Sequence, residues 1–137
     1  MGDPETEVVV PRIQSDLLEL FIASTTGNLS NYKMQINPES AITVMAVSGG
    51  YPEAYENGKT IKGIKKVSDS IVFHAGTKEV DGEIISNGGR VLAVTSFGKD
   101  FKEALKKAYA NLTKINFDKM NYRRDIGFDF TVLSGIN

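Results

Sequence analysis

The order of apolar and polar positions divides this chain into a helical opening, a strand-rich middle and a second helix. The first residues, "GDPETEVVV", read as a loop feeding a short strand over Val8 to Val10 that has no obvious neighbour in sequence. Pro11 suits a first helical turn, where its missing N–H is not needed. Ile13, Leu17, Leu18, Leu20 and Phe21 then recur at helical spacing, so the pattern predicts a helix from Pro11 that stops at Gly27-Asn28. From Ala41 the period shortens. "AITVMAV" predicts a buried strand rich in β-branched residues, ending at Ser48-Gly49-Gly50-Tyr51-Pro52, and "SIVFHAG" predicts a second. "GEIIS" and "RVLAVTS" are a third and a fourth. Asn87-Gly88-Gly89 and Asp81-Gly82, between them and before them, carry hairpin chemistry, because Asn and Gly tolerate positive φ. The second helix begins near Asp100, an N-cap residue with Glu103 at the capping-box position, and its predicted buried stripe is Phe101, Leu105, Ala108 and Leu112. Strands followed by a covering helix imply an α+β domain, an antiparallel β-sheet with one face covered by helices.

Composition narrows the class. With 137 residues, 41% hydrophobic and 24% charged, the chain is sized for one domain. Sixteen basic residues stand against 17 acidic ones, for a net charge of -1, which offers no broad electropositive face for nucleic acid. The absence of cysteine removes disulfide frameworks, thiolate metal sites and cysteine nucleophiles together, and fits a reducing compartment. The acidic start lacks the basic and apolar regions of a signal peptide, and no apolar run is long enough to cross a membrane, so a cytoplasmic location is expected and a membrane partner is not.

The candidate chemistry sits at strand ends. Gly76 follows the second strand, with Lys78 just beyond it, and Gly88 and Gly89 precede Arg90 at the foot of the fourth. Taken singly, "SGGYP" and "SNGGR" read as turns, Arg123-Arg124-Asp125 as a solvated charge cluster, and His74 as a hydrogen-bonded structural histidine. Taken together they suggest more. Glycine-terminated strands bring backbone close to a ligand, while Lys78 and Arg90 supply charge, so convergence of "AGTK" and "GGR" would form a compact site for a phosphate monoester.

In chain order, "GDPETEVVVPRIQSDLLEL", "VMAVSGGYP", "FHAGTK", "GGRVLAVT" and "YRRDIG" resemble the C-terminal part of the phosphoribosylamine–glycine ligase family, also called glycinamide ribonucleotide synthetases, within the ATP-grasp superfamily. The resemblance runs from Gly2 to about Gly127. It implies a reaction in which ATP, 5-phosphoribosylamine and glycine give ADP, phosphate and glycinamide ribonucleotide in purine synthesis, with Mg2+ or Mn2+ bridging the ATP phosphates. It implies a division into residues 1–10 as the severed end of an ATP-grasp domain, 11–33 as a connecting helix and loop, and 34–137 as a C-terminal substrate-closing domain. The nucleotide pocket and metal ligands are then expected upstream of Met1, so this fragment alone is expected to bind no cofactor and to be inactive, and the ATP-grasp domain becomes its partner.

For individual residues, the resemblance implies that Lys78 and Arg90, with Gly76, Gly88 and Gly89 behind them, hold the sugar phosphate. Asp3 and Glu5 are suited to the amine of glycine or of phosphoribosylamine, and His74 to supporting the "AGTK" turn; no catalytic residue is assigned. Two other readings compete: a stand-alone binding or assembly module of the same fold, and another purine-pathway ATP-grasp ligase. The "GDPE" start argues against the first, and the order of "SGGYP" and "HAGT" against the second.

Overall fold

The computed structural model describes residues 2–133; Met1 and residues 134–137, assigned above to the two ends of the domain division, lie outside them. In chain order the elements are α1 (Thr6–Val9), α2 (Leu17–Thr25), β1 (Ser40–Val47), β2 (Ser70–His74), β3 (Thr77–Val80), β4 (Glu83–Ser86), β5 (Arg90–Gly98), α3 (Phe101–Leu112) and α4 (Phe128–Leu133). β5 lies between β1 and β2 in a three-stranded antiparallel sheet, and β3 and β4 form a separate two-stranded hairpin. The register sets Val94 opposite Val44 on one side and Val72 on the other.

β5 is buried without interruption from Val91 to Ser96 because the sheet is covered on both faces. On one face α3 packs Ala104, Ala108 and Leu112 against a cluster that includes Ile42, Val44, Leu92 and Val94. Each large aliphatic side chain so buried contributes about 1.5–3 kcal/mol. The same helix carries a buried polar tie: Asn111 Nδ2 donates to the Ser68 carbonyl (2.7 Å) and to Ser70 Oγ (2.7 Å), fixing the start of β2. On the other face lie α1 and the 3-10 turn Val10–Arg12, anchored where the buried Thr95 hydroxyl donates to the Glu7 carbonyl at 2.9 Å.

α3 starts where the sequence puts it. Asp100 Oδ1 accepts from the Glu103 N–H (2.8 Å), while Glu103 reaches back to the Lys99 N–H (3.0 Å), one residue earlier than the usual capping box. Its buried stripe is Ala104, Ala108, Asn111 and Leu112, with the predicted Phe101 and Leu105 half-buried beside it.

Four expectations are corrected. Val8–Val10 is not a strand but part of α1 and the following 3-10 turn, since Glu5 and the residues after it close local i→i+3 and i→i+4 bonds, such as Val9 N–H to the Glu5 carbonyl at 2.9 Å. The first helix begins not at Pro11 but at Leu17, where the Asp16 carboxylate accepts from the Leu18 N–H at 2.7 Å; Ile13 is extended and bridges Ile36. That helix does not cover the sheet: none of its residues is buried. Finally, Asn87-Gly88-Gly89 is not a hairpin but a crossing from the small sheet to the large one, because β4 pairs with a further strand, β3, across the Asp81–Gly82 turn.

One consequence is measurable by pH. The Glu103 carboxyl lies below its ordinary value of 4.5, held there first by the hydrogen bond from the Lys107 ammonium and then by the Lys99 N–H. A carboxylate depressed in the folded state stabilises above its unfolded pKa, and that contribution is lost as pH falls through the folded value. Stability should therefore drop as acidification carries the pH below the ordinary value of 4.5, and Glu103→Gln should flatten that part of the profile; equal acid slopes for the two proteins in chemical denaturation would refute it.

Candidate functional site

The ends of β1, β2, β4 and β5 meet at one end of the large sheet. Ser48, buried at the end of β1, donates its N–H to the Gly89 carbonyl (2.8 Å) and its hydroxyl to the Gly88 carbonyl (2.8 Å). The Gly76 N–H donates to the Arg90 carbonyl (2.8 Å), and the Asn87 N–H to the Gly76 carbonyl (2.8 Å). The predicted convergence of "AGTK" and "GGR" is thus present in the backbone. It also explains the glycines: a Cβ on Gly76 would stand 2.6 Å from the Arg90 carbonyl oxygen and 2.8 Å from Gly88 Cα, and one on Gly89 would enter the Tyr51 ring.

Arg90, half-buried as the first residue of β5, sends its guanidinium to the opening segment. Nη2 bonds Asp3 Oδ2 at 2.7 Å and Nη1 bonds the Asp3 carbonyl at 3.1 Å. The sequence named both residues but not their pairing, which joins positions 87 apart. Lys78 is exposed on β3, opposite Ile85, two residues beyond the Gly76 that Arg90's carbonyl receives. Glu5 is exposed at the start of α1, and its carboxylate lies beside Gly2 rather than at Arg90.

His74, the last residue of β2, places Nδ1 2.9 Å from Thr77 Oγ1 and so spans the Ala75–Gly76 turn. That geometry gives it a structural part. Arg123 forks onto Asp125 through Nε (2.9 Å) and Nη2 (2.8 Å), holding that carboxyl below its usual range. Arg124 lies 5.8 Å over the Tyr122 ring. Arg90 and Arg123 both line a cavity of about 390 Å3, whose other walls include Met45, Tyr51 and Tyr122. The aromatic walls escaped the sequence reading of the site, although "SGGYP" and "NYRRD" carried the signal.

Fold and site together define an α+β domain that gathers glycine-rich strand junctions and an oriented arginine at one sheet end. The family model for the C domain of phosphoribosylglycinamide synthetase matches residues 41–129, and the chain belongs to this family. It is 41% identical over 125 residues to the phosphoribosylamine–glycine ligase of Caldanaerobacter subterraneus subsp. tengcongensis, a match covering 91% of this chain and 30% of that protein. It is 42% identical over 132 residues to the bifunctional purine biosynthetic protein purD of Dictyostelium discoideum, covering 93% of this chain and 16% of that protein. Among solved structures it is similar to the phosphoribosylamine–glycine ligase of Thermotoga maritima, with a TM-score of 0.69 and 36% identity over 91% of this chain and 31% of that one. The chain thus spans about 30% of the length of the single-function ligases it matches.

The junction makes a stability prediction. Gly76→Ala should lower stability by about 1–3 kcal/mol, because the added methyl meets two backbone groups that cannot rotate away. A thermal melt of the variant that overlays the parent would show that the backbone contact yields easily.

Proposed function

We propose that this chain serves as the C-terminal, substrate-closing domain of a phosphoribosylamine–glycine ligase, which joins glycine to 5-phosphoribosylamine as ATP becomes ADP and phosphate in purine synthesis. Residues 34–137 supply the closing domain in this reading, residues 11–33 the connection, and residues 1–10 the edge of the ATP-grasp domain. The observation that carries the domain's own role is the Asp3–Arg90 pair. A guanidinium has five N–H donors; Asp3 takes two of them, which leaves three for a phosphate while fixing the plane in which they lie.

Arg90 receives the 5-phosphate as a planar fork, and Lys78 adds a point charge from β3. Gly76, Gly88 and Gly89 keep side chains out of the approach. Asp3 orients Arg90, and with Glu5 it presents carboxylates toward the amine of glycine or of phosphoribosylamine.

The complete ligase would use ATP with Mg2+ or Mn2+, which neutralise charge on the transferring phosphoryl group. Among the described residues no group of three or more His, Asp or Glu side chains could hold a metal ion. In this reading those ligands belong to the ATP-grasp domain, the partner of this one, and no step runs through a metal held here. The cytoplasm, where purine precursors are made, is the compartment this role requires; among the described residues no helix is long and apolar enough to cross a membrane.

Two measurements test the proposal. The purified chain, given ATP, Mg2+, glycine and phosphoribosylamine, should form no glycinamide ribonucleotide; turnover would overturn its role as one part of a larger catalyst. In a ligase carrying this domain, Arg90→Ala should raise the Michaelis constant for phosphoribosylamine by roughly one to two orders of magnitude, the loss of a charge-assisted bond worth about 1.5–3 kcal/mol, and Lys78→Ala should raise it less. The constant for ATP should hardly move. An unchanged constant for phosphoribosylamine, or a loss confined to ATP, would remove the phosphate assignment.

A further inference from the structure

The cavity of about 390 Å3 beside Arg90 has walls that a sugar phosphate does not require. β1 contributes Val44, Met45 and Val47 to it, and the segment after α3 contributes Asn121, Tyr122 and Arg123. That segment is pinned at both ends. Asn121 exchanges backbone hydrogen bonds with Val47 (2.8 and 3.0 Å), while the Tyr109 hydroxyl donates to the Arg123 carbonyl (3.0 Å) and accepts from the Ile126 N–H (3.2 Å). Two aromatic rings line the space. Tyr51 lies against Gly89, where a side chain would enter its ring, and so stands one residue from Arg90; Tyr122 belongs to the pinned segment. The Asn121 carboxamide is oriented as well, since its Oδ1 accepts from the Tyr122 N–H at 2.9 Å and leaves Nδ2 as a donor.

The substrates of the proposed reaction do not account for these walls. Glycine and 5-phosphoribosylamine are polar throughout and carry no aromatic ring, and in that reading the adenine of ATP is held by the ATP-grasp domain. A concave space with apolar and aromatic walls and a few fixed polar groups is instead the usual seat of a ligand with a flat organic part. Nucleobases suit it, because every base has a face that stacks on tyrosine, and one such contact raises affinity about tenfold.

We infer that this cavity is a regulatory seat for a purine nucleoside monophosphate, its phosphate taken by Arg90 and its base lying against Tyr51 and Tyr122. The phosphate end and the choice of purine rest on the proposed function, since such a nucleotide is the 5-phosphoribosyl group of the substrate carrying a completed purine ring. The ring end rests on the cavity alone. Asn121 supplies a donor for the edge of the base. Both ligands need the three donors that Asp3 leaves on Arg90, so the nucleotide excludes phosphoribosylamine and slows the synthesis that leads to it.

Calorimetric titration of this chain with AMP, UMP, adenosine and ribose 5-phosphate tests the seat. AMP should bind about tenfold more tightly than ribose 5-phosphate, and more tightly than UMP. Tyr51→Ala should remove that advantage without weakening ribose 5-phosphate, and Tyr51→Phe, which keeps the ring, should retain it; Tyr122→Ala checks the second wall independently. Arg90→Ala should reduce AMP to the affinity of adenosine. Equal affinities for AMP and ribose 5-phosphate overturn the inference and leave the functional reading in place. It also falls if AMP does not bind, if UMP binds as tightly as AMP, or if Tyr51→Ala and Tyr122→Ala both leave AMP binding intact. AMP binding lost in Arg90→Ala, in a ligase whose Michaelis constant for phosphoribosylamine the same substitution leaves unchanged, keeps the nucleotide seat and sinks the phosphate assignment of the proposed function.

Discussion

The double-sided burial of β5 is the constraint on which the rest of the domain hangs. A central strand must satisfy its backbone on two edges and its side chains on two faces at once. β1 and β2 take the edges, α3 takes one face, and the opening segment takes the other through Glu7 and Thr95. Because the strand is locked in all four directions, the residue at its N-terminal end has little freedom of position. Arg90 is that residue, and its backbone carbonyl is further tied to Gly76.

The same constraint decides what could be read from the sequence. "RVLAVTS" is continuous rather than alternating because neither face of β5 meets water, and this run identified the strand without ambiguity. α3 was equally legible, since Asp100 and Glu103 are local cap chemistry and the apolar period of 3.6 needs no tertiary partner to be recognised. The errors fall where local pattern and tertiary pairing disagree. Val8-Val9-Val10 has strand propensity, yet hydrogen bonds back to the Glu5 and Thr6 carbonyls wind it into helical turns lying on the sheet. "TKEV" is short and mostly exposed, so nothing in its own pattern announces β3; only β4, alongside it, makes it a strand. "NGG" has the composition of a hairpin, but its glycines answer to close backbone approach between strands of different sheets. For the site, residue identities were legible and contacts were not: Asp3 meeting Arg90 is set by how the opening segment crosses the sheet, which no local spacing encodes.

The domain contains two regions of different energetic character. Around β5, burial is complete from Val91 to Ser96 and polar groups are answered internally, as where Asn111 serves the Ser68 carbonyl and Ser70 hydroxyl and Ser70 in turn meets Ser96 at 2.6 Å. Leaving such a group unmatched costs about 1–3 kcal/mol, so this network defines one position of α3 over β2. In residues 13–36, local hydrogen bonds set the shape and no residue is fully buried. The first region specifies its own structure.

The Asp3–Arg90 pair connects these considerations to chemistry. Both side chains are substantially exposed, 53% and 38%, and pairs of this kind are worth about 0–1 kcal/mol to stability. The fold would persist without it. Its effect is directional: a guanidinium on a long stem ordinarily samples many rotamers, whereas one held by both a carboxylate and a carbonyl oxygen of the same residue has its plane fixed. Ordering a side chain before a ligand arrives removes part of the entropic cost of binding, about 0.5–1.5 kcal/mol for a rotamer-rich residue. Asp3 also lies in the opening segment while Arg90 begins β5, so any movement of that segment against the sheet turns the guanidinium with it. An anion bound to the three remaining donors would thus report on, and be controlled by, how the opening segment sits on the domain.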